Sequence, residues 1–421
     1  MKKLIFLNLI LFLPMMVSAQ NLNGRFSSSF YTFERYNSTA SSETFIRSFQ
    51  ALNLNFNYNK FSLRTRTNLE SNIGKTLDND ARLRFYNLYF EARDIFNAAT
   101  LKLGRQPLFT PVAGGLFDGV SLKIKYSDFA VAGYYGGNVP AYQKLEMTDN
   151  LANDYVLGGK IETTALKDFR FAVSYIDKNF RTYDYSAYRL DDDSDPITRL
   201  IQQKSNQYKY LTGEVFYNHE NIDISTRYEY DLNYSETSKF EIDSRFDVTK
   251  EIGITGYYNF REPKIRYNSI FSVFNYGSTE EIEGGFDLRV SDLYTLTGKV
   301  GYVSYEDDHS TRITLGANTN YGSLSYRKNF GYAGELESIS LYTAKSFADG
   351  FVTPSLGLSV TNYKLSAGDR ANNITSLSAG CNLRPWRTFS FDVQGQYFNN
   401  KIYENDFRVL FKVNYLFNTN F

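Results

Sequence analysis

Apolar and polar side chains alternate along most of the chain. In "LNLNFNY", Leu52, Leu54, Phe56 and Tyr58 fall on one side and Asn53, Asn55 and Asn57 on the other. "FSLRTRTNLE" sets Phe61, Leu63 and Leu69 against Arg64, Arg66 and Glu70. "VSLKIKY" sets Val120, Leu122 and Ile124 against Lys123 and Lys125, and "KFEIDSRFDV" sets Phe240, Ile242, Phe246 and Val248 against Lys239, Glu241, Asp243, Arg245 and Asp247. Near the end, "FRVLFKVNYLF" places an aromatic row, Phe407 to Phe417, opposite Arg408 and Lys412. A period of two means β-strands with one greasy and one polar face.

Such a strand packs its greasy face either on a soluble core or on lipid. Segments of about ten residues with Tyr and Phe at their ends suit a bilayer crossed at a tilt, and closure of the sheet removes aggregation-prone edges. Tight links at Asn59-Lys60, Ser127-Asp128, Ala165–Asp168, His219–Asn221, Thr249–Glu251, Ser291-Asp292, Asn320-Tyr321, Ala348–Gly350 and Arg384–Trp386 alternate with longer ones, near 36–43, 73–80, 107–117, 138–152, 179–206, 263–280 and 365–370. The pattern predicts an all-β fold: a single antiparallel transmembrane β-barrel of about 22 strands, within a range of about 16 to 22, with short periplasmic turns and longer outer loops.

The first residues, "MKKLIFLNLILFLPMMVSAQ", read as a secretory signal peptide over 1–19, cleaved after Ala19, which leaves 20–421 as one barrel with no room for a plug domain. The location expected is the bacterial outer membrane. With 35 Tyr, 35 Phe and only 8 Pro the composition favours strands. Formal charge is balanced, so neither charge nor export points to nucleic acid. A lone cysteine, Cys381, excludes an internal disulfide and reads as a lipid-side residue.

Candidate chemistry is sparse. The two histidines, His219 in a tight turn and His309 in a loop, fall at opposite ends of the predicted barrel, so no catalytic pair and no enzyme is expected. "DDDSD", Asp191 to Asp195, lacks the Gly and Glu that a calcium loop needs, so no metal and no cofactor is expected. Candidate pore-lining residues are Arg64, Arg66, Arg93, Lys102, Lys123 and Lys125 on the early strands, and Glu214, Asp223, Glu229, Asp231, Glu241, Asp243 and Asp247 on the middle strands. These form either a basic and an acidic arc with a field between them, or charges that pair locally across neighbouring strands.

The stretch "LGRQPLFTPVAGGLFDGV", Leu103 to Val120, has an irregular Pro- and Gly-rich centre suited to a loop folded inward or over the mouth. Its strand ends, "GRQ" and "FDGV", resemble a pattern of substrate-specific outer-membrane porins, including the alginate-export family. That resemblance implies that Arg105 and Asp118 are neighbours that hold the loop and line a passage; a purely structural clamp is the other reading. The residues between the two motifs depart from the family's pattern, so the polysaccharide substrate does not carry over. The final strand likewise resembles the signal read by the barrel-assembly machinery, with Phe417 or Phe421 as the recognised aromatic. The expected function is passive diffusion of small hydrophilic solutes through a porin-like channel, amid outer-membrane lipid and lipopolysaccharide. A non-conducting barrel that partners a surface or secretion assembly is the alternative.

Overall fold

The computed structural model of the chain describes residues 21–38, 41–75, 81–139, 145–181, 185–190, 195–201, 206–265, 267, 277–305, 308–331, 335–364, 368–401 and 405–420. The expected signal peptide, Phe421 and most of the acidic run at Asp191–Asp195 lie outside them.

Twenty-four strands are present among the described residues. They begin with β1 (Asn21–Ser38), β2 (Ser41–Tyr58), β3 (Phe61–Ile73), β4 (Arg82–Ile95), β5 (Ala99–Leu108) and β6 (Gly115–Tyr126). Next come β7 (Phe129–Val139), β8 (Tyr155–Thr163), β9 (Phe169–Phe180), β10 (Tyr185–Leu190), β11 (Pro196–Ile201) and β12 (Asn206–His219). β13 (Ile222–Asp231), β14 (Glu236–Asp247), β15 (Ile252–Arg261), β16 (Thr279–Ser291), β17 (Tyr294–Tyr305) and β18 (Asp308–Thr319) follow. The last are β19 (Gly322–Gly331), β20 (Leu336–Ala344), β21 (Val352–Tyr363), β22 (Asn372–Trp386), β23 (Phe389–Asn399) and β24 (Asp406–Thr419).

Twenty-two of them form one antiparallel sheet, and β10 with β11 form a separate hairpin inside the connection between β9 and β12. The ladder closes on itself because β1 pairs with both β2 and β24. This is the 22-strand transmembrane barrel that the alternation predicts. Two compact units divide the strands, one running up to Gln106 with Ala344–Gly357 and everything from Ser376, the other Pro107–Thr343 with Leu358–Thr375.

In each unit one row of side chains is apolar and exposed. In the first it includes Leu63, Phe90, Leu103 and Val409; in the second, Leu122, Ile161, Val173, Ile254, Ile282 and Leu315. So much exposed hydrocarbon is what lipid covers and water does not. Aromatic rings gather on this row at the short-turn end of the first unit: Phe61 stacks on Phe90 at 5.6 Å, and Phe389 meets Tyr415 at 4.7 Å and Trp386 at 6.0 Å. Such rings suit the boundary between lipid and water.

The seam between β24 and β1 is stitched by neutral side chains. Asn21 Nδ2 donates to Asn418 Oδ1 (2.6 Å), and Ser27 Oγ donates to Asn414 Oδ1 (2.7 Å). Gly24 sits opposite Phe417, whose ring occupies the space that a Cβ would need.

Some expected boundaries shift. A short turn absent from the expected set joins β4 to β5, and the link expected at Arg384–Trp386 falls after Trp386, because β22 runs on to that residue. The connections at the other end are not uniformly long, since four residues suffice between Asp231 and Glu236.

Candidate functional site: the polar face of the sheet

Register assigns the charged residues to one face. Directly paired residues share a face, and one rung runs Glu214–Arg227–Glu241–Asn259–Glu281 across β12 to β16. Neighbouring rungs carry Asp223 with Arg245 and Asp243 with Tyr257 and Glu283. Lys123 pairs with Ala132 and so with Lys160, placing Lys123 and Lys125 on the same face.

Of the two sequence readings, field or local pairing, the contacts in each unit are of the second kind. Glu214 receives Lys160 (2.9 Å) and Arg227 (3.4 Å), and Glu241 receives Lys239 (2.6 Å). Arg245 bridges Asp247 (2.9 Å) and Asp287 (2.5 Å). Arg312 bridges Glu281 and Glu283, and Glu283 also takes Lys299 at 3.2 Å. Of the acidic candidates, Glu214, Glu229, Glu241 and Asp247 each meet a cation, and two of those cations, Lys160 and Lys264, lie outside the strands that supplied the candidates. Glycine lets these long side chains lie flat, since a Cβ at Gly253 would collide with the Arg245 guanidinium. Around this spot a recess of about 800 Å³ is lined by Arg245, Asp247, Thr249, Asp287, Arg289 and Thr297.

On the early strands, Arg64, Arg93 and Lys102 converge on Glu91, at 3.1, 3.4 and 3.6 Å. Arg66 lies over the Tyr86 ring at 5.4 Å. Lys123 and Lys125 make no ion pair among the described residues. Asp223 accepts from Asn218, while Asp231 is buried and accepts from the backbone N–H groups of Asn233 (2.8 Å) and Tyr234, so it caps a turn.

A patch of this polar face is apolar and covered. Phe117, Val156, Ile176 and Tyr210 share rows with Lys123, Lys160, Lys178 and Glu214, yet all four are buried, together with Leu108 and Val112 of the connection after β5. Burial of each such side chain contributes about 2 kcal/mol. The connection is pinned by Lys178, itself 5% exposed, whose Nζ donates to the carbonyl oxygens of Ala113 (2.9 Å) and Gly114 (3.1 Å). Ala113 turns the chain with a φ of 53°, and Thr110 Oγ1 donates to Val112 O at 2.6 Å. The segment around 109–114 therefore lies on the polar face, the inward fold expected from its Pro and Gly content. A second segment reaches the same patch. Lys264, after β15, pairs with the fully buried Glu229 at 2.5 Å and lies 5.9 Å from the Tyr210 ring centre. Neither Lys178 nor Lys264 stood out in the sequence, because each acts through a partner remote in the chain.

Arg105 and Asp118 are both buried. Register sets Arg105 opposite Leu88 and Asp118 opposite Gly137. His219 Nδ1 lies 2.8 Å from Asp168 Oδ2 at the short-turn end, and His309 lies at the start of β18 at the other, so the two are apart. Cys381 alternates with Asn382, whose amide donates to Asp392 on the polar row, which leaves Cys381 on the outer row.

A closed antiparallel barrel with an even strand number, an apolar outer row and a charged inner one is the architecture of bacterial outer-membrane proteins. Among solved structures, the siderophore receptor PirA from Pseudomonas aeruginosa matches with a TM-score of 0.55 at 12% identity, over 95% of this chain and 81% of that one. The FrpB iron transporter from Neisseria meningitidis matches with a TM-score of 0.54 at 9% identity, over 94% and 82%. Likeness at such identity concerns the fold alone. No protein-family model and no curated protein matches the chain.

Proposed function

We propose that the protein is an outer-membrane channel through which small hydrophilic solutes diffuse passively, its selectivity set by the charged polar face and by the segment folded onto it. The observation that carries this reading is the pinning of residues 109–114 on the polar face by Lys178. A scaffold needs no segment fixed there, whereas a passage is narrowed by one. Ion pairs lying along the wall fit the same reading, because they leave polar surface for water without a large fixed field. Lipopolysaccharide on the outside and the assembly machinery at β24 are its expected partners.

Purified protein in a planar bilayer gives stepwise conductance on this reading. A folded protein that stays silent favours the second one, a non-conducting barrel that anchors a partner. For that alternative the hairpin β10–β11 is relevant, since it pairs with no barrel strand and exposes Tyr188 and Leu200.

A further inference from the structure

We propose that the cluster around Glu91 is an oxyanion subsite that takes a doubly charged tetrahedral group, a phosphate or a sulfate, free or carried on a solute. The inference rests on the polar face being the wet side of the barrel wall, and deepens the channel reading.

Charge is the first argument. Arg64 and Arg93 reach Glu91 Oε1 and Lys102 reaches Oε2, so three cations share one carboxylate and two positive charges are left over. No second carboxylate lies within ion-pair distance of any of the three among the described residues. By contrast, Arg245 bridges two carboxylates, Asp247 and Asp287.

Unused donors are the second. Arg64 Nε and Ser62 Oγ are buried and make no hydrogen bond. Ser62 is paired directly across from Glu91 and is only 2% exposed. A buried donor without an acceptor is costly, and two beside one carboxylate mark where an acceptor belongs.

Shape is the third. Glu91 is buried and draws the three cations together, while their own side chains stay between 34% and 38% exposed and so remain reachable. Lys102 also lies over the Tyr89 ring, 5.3 Å from its centre, which fixes its direction. Two guanidinium forks and an ammonium suit the several oxygens of a tetrahedral oxyanion, and two surplus charges match a dianion better than a lone carboxylate.

The test is calorimetric titration of the full chain, folded in detergent, with sulfate, inorganic phosphate, glycerol phosphate, acetate and chloride. Sulfate and inorganic phosphate should bind, with acetate and chloride about tenfold weaker or more, and the double variant Arg64→Gln, Lys102→Gln should weaken sulfate by about tenfold. Glycerol phosphate binding as tightly as phosphate assigns the site to a solute-borne group; much weaker binding assigns it to the free ions. Lys364→Gln, in the loop pair with Glu335, should change nothing, and Lys102→Gln alone serves if the double variant does not fold. Acetate as tight as sulfate, or sulfate unaffected by the variants, overturns the proposal. Binding is read without a membrane: a silent bilayer with intact sulfate binding removes only the channel reading, and conductance without sulfate binding removes only this subsite.

Discussion

Lys178 Nζ lies 2.9 Å from the carbonyl oxygen of Ala113, and this contact, with its neighbour to Gly114, joins the end of β9 to a connection far earlier in the chain. Lys178→Met keeps the apolar stem and removes the donor. Single-channel conductance should rise, because the 109–114 segment loses its charged anchor, while the heat-shifted mobility of the folded barrel should stay near wild type. Unchanged conductance would show that Val112 and Leu108 alone hold the segment.

The second strap is tested at Lys264. Its partner Glu229 is 1% exposed, so Lys264→Met leaves a buried carboxylate without its cation. Breaking such a pair costs roughly 3 to 5 kcal/mol. The midpoint of denaturant unfolding should fall clearly, and the double change Lys264→Met, Glu229→Gln should recover much of the loss.

Arg312 holds two carboxylates at once. Arg312→Gln should therefore expose uncompensated negative charge and shift reversal potentials towards cations, on the order of twofold in permeability ratio at low salt, with the shift fading as salt rises. A shift towards anions would contradict the pairing described here.

Lys123 and Lys125 make no ion pair among the described residues, so charge reversal there acts on free cations. Lys123→Glu and Lys125→Glu together should move selectivity towards cations, in the same bilayer assay, without loss of barrel content in circular dichroism. No change in selectivity would place these residues away from the path of the ions.

Glycine under the charges gives a steric prediction. Gly253→Val puts a side chain where the Arg245 guanidinium rests. Arg245 can lift away because its end is flexible, so the barrel should still fold. Conductance should drop as the arginine swings out from Asp247 and Asp287, and Arg245→Ala should restore it.

Much of the fold could be read from the alternation. One period-two row in Leu52–Tyr58 or Phe407–Phe417 already assigns the outer face, and the strand number follows from the turns. The unexpected features have physical causes. Hairpin β10–β11 uses the same pattern as a wall strand, so periodicity cannot separate them. Arg105 follows Gly104, whose φ of 121° is open to glycine only, and its row depends on a register that composition does not reveal. The pairing of acidic candidates such as Glu214 and Glu229 was hidden because their cations, Lys160 and Lys264, come from outside those strands. The site around Glu91 was half visible: its cations were named as basic wall residues, but their convergence on one carboxylate requires β3, β4 and β5 side by side.

The amide seam between β1 and β24 has a consequence for biogenesis. No ion pair joins these two strands among the described residues, whereas the rest of the wall is stitched by many. The final join of the cylinder thus requires no desolvation of paired ions and is indifferent to the divalent and monovalent ion content outside the cell. Fluctuating salinity would soften the rungs before it loosened the zip that keeps the cylinder shut.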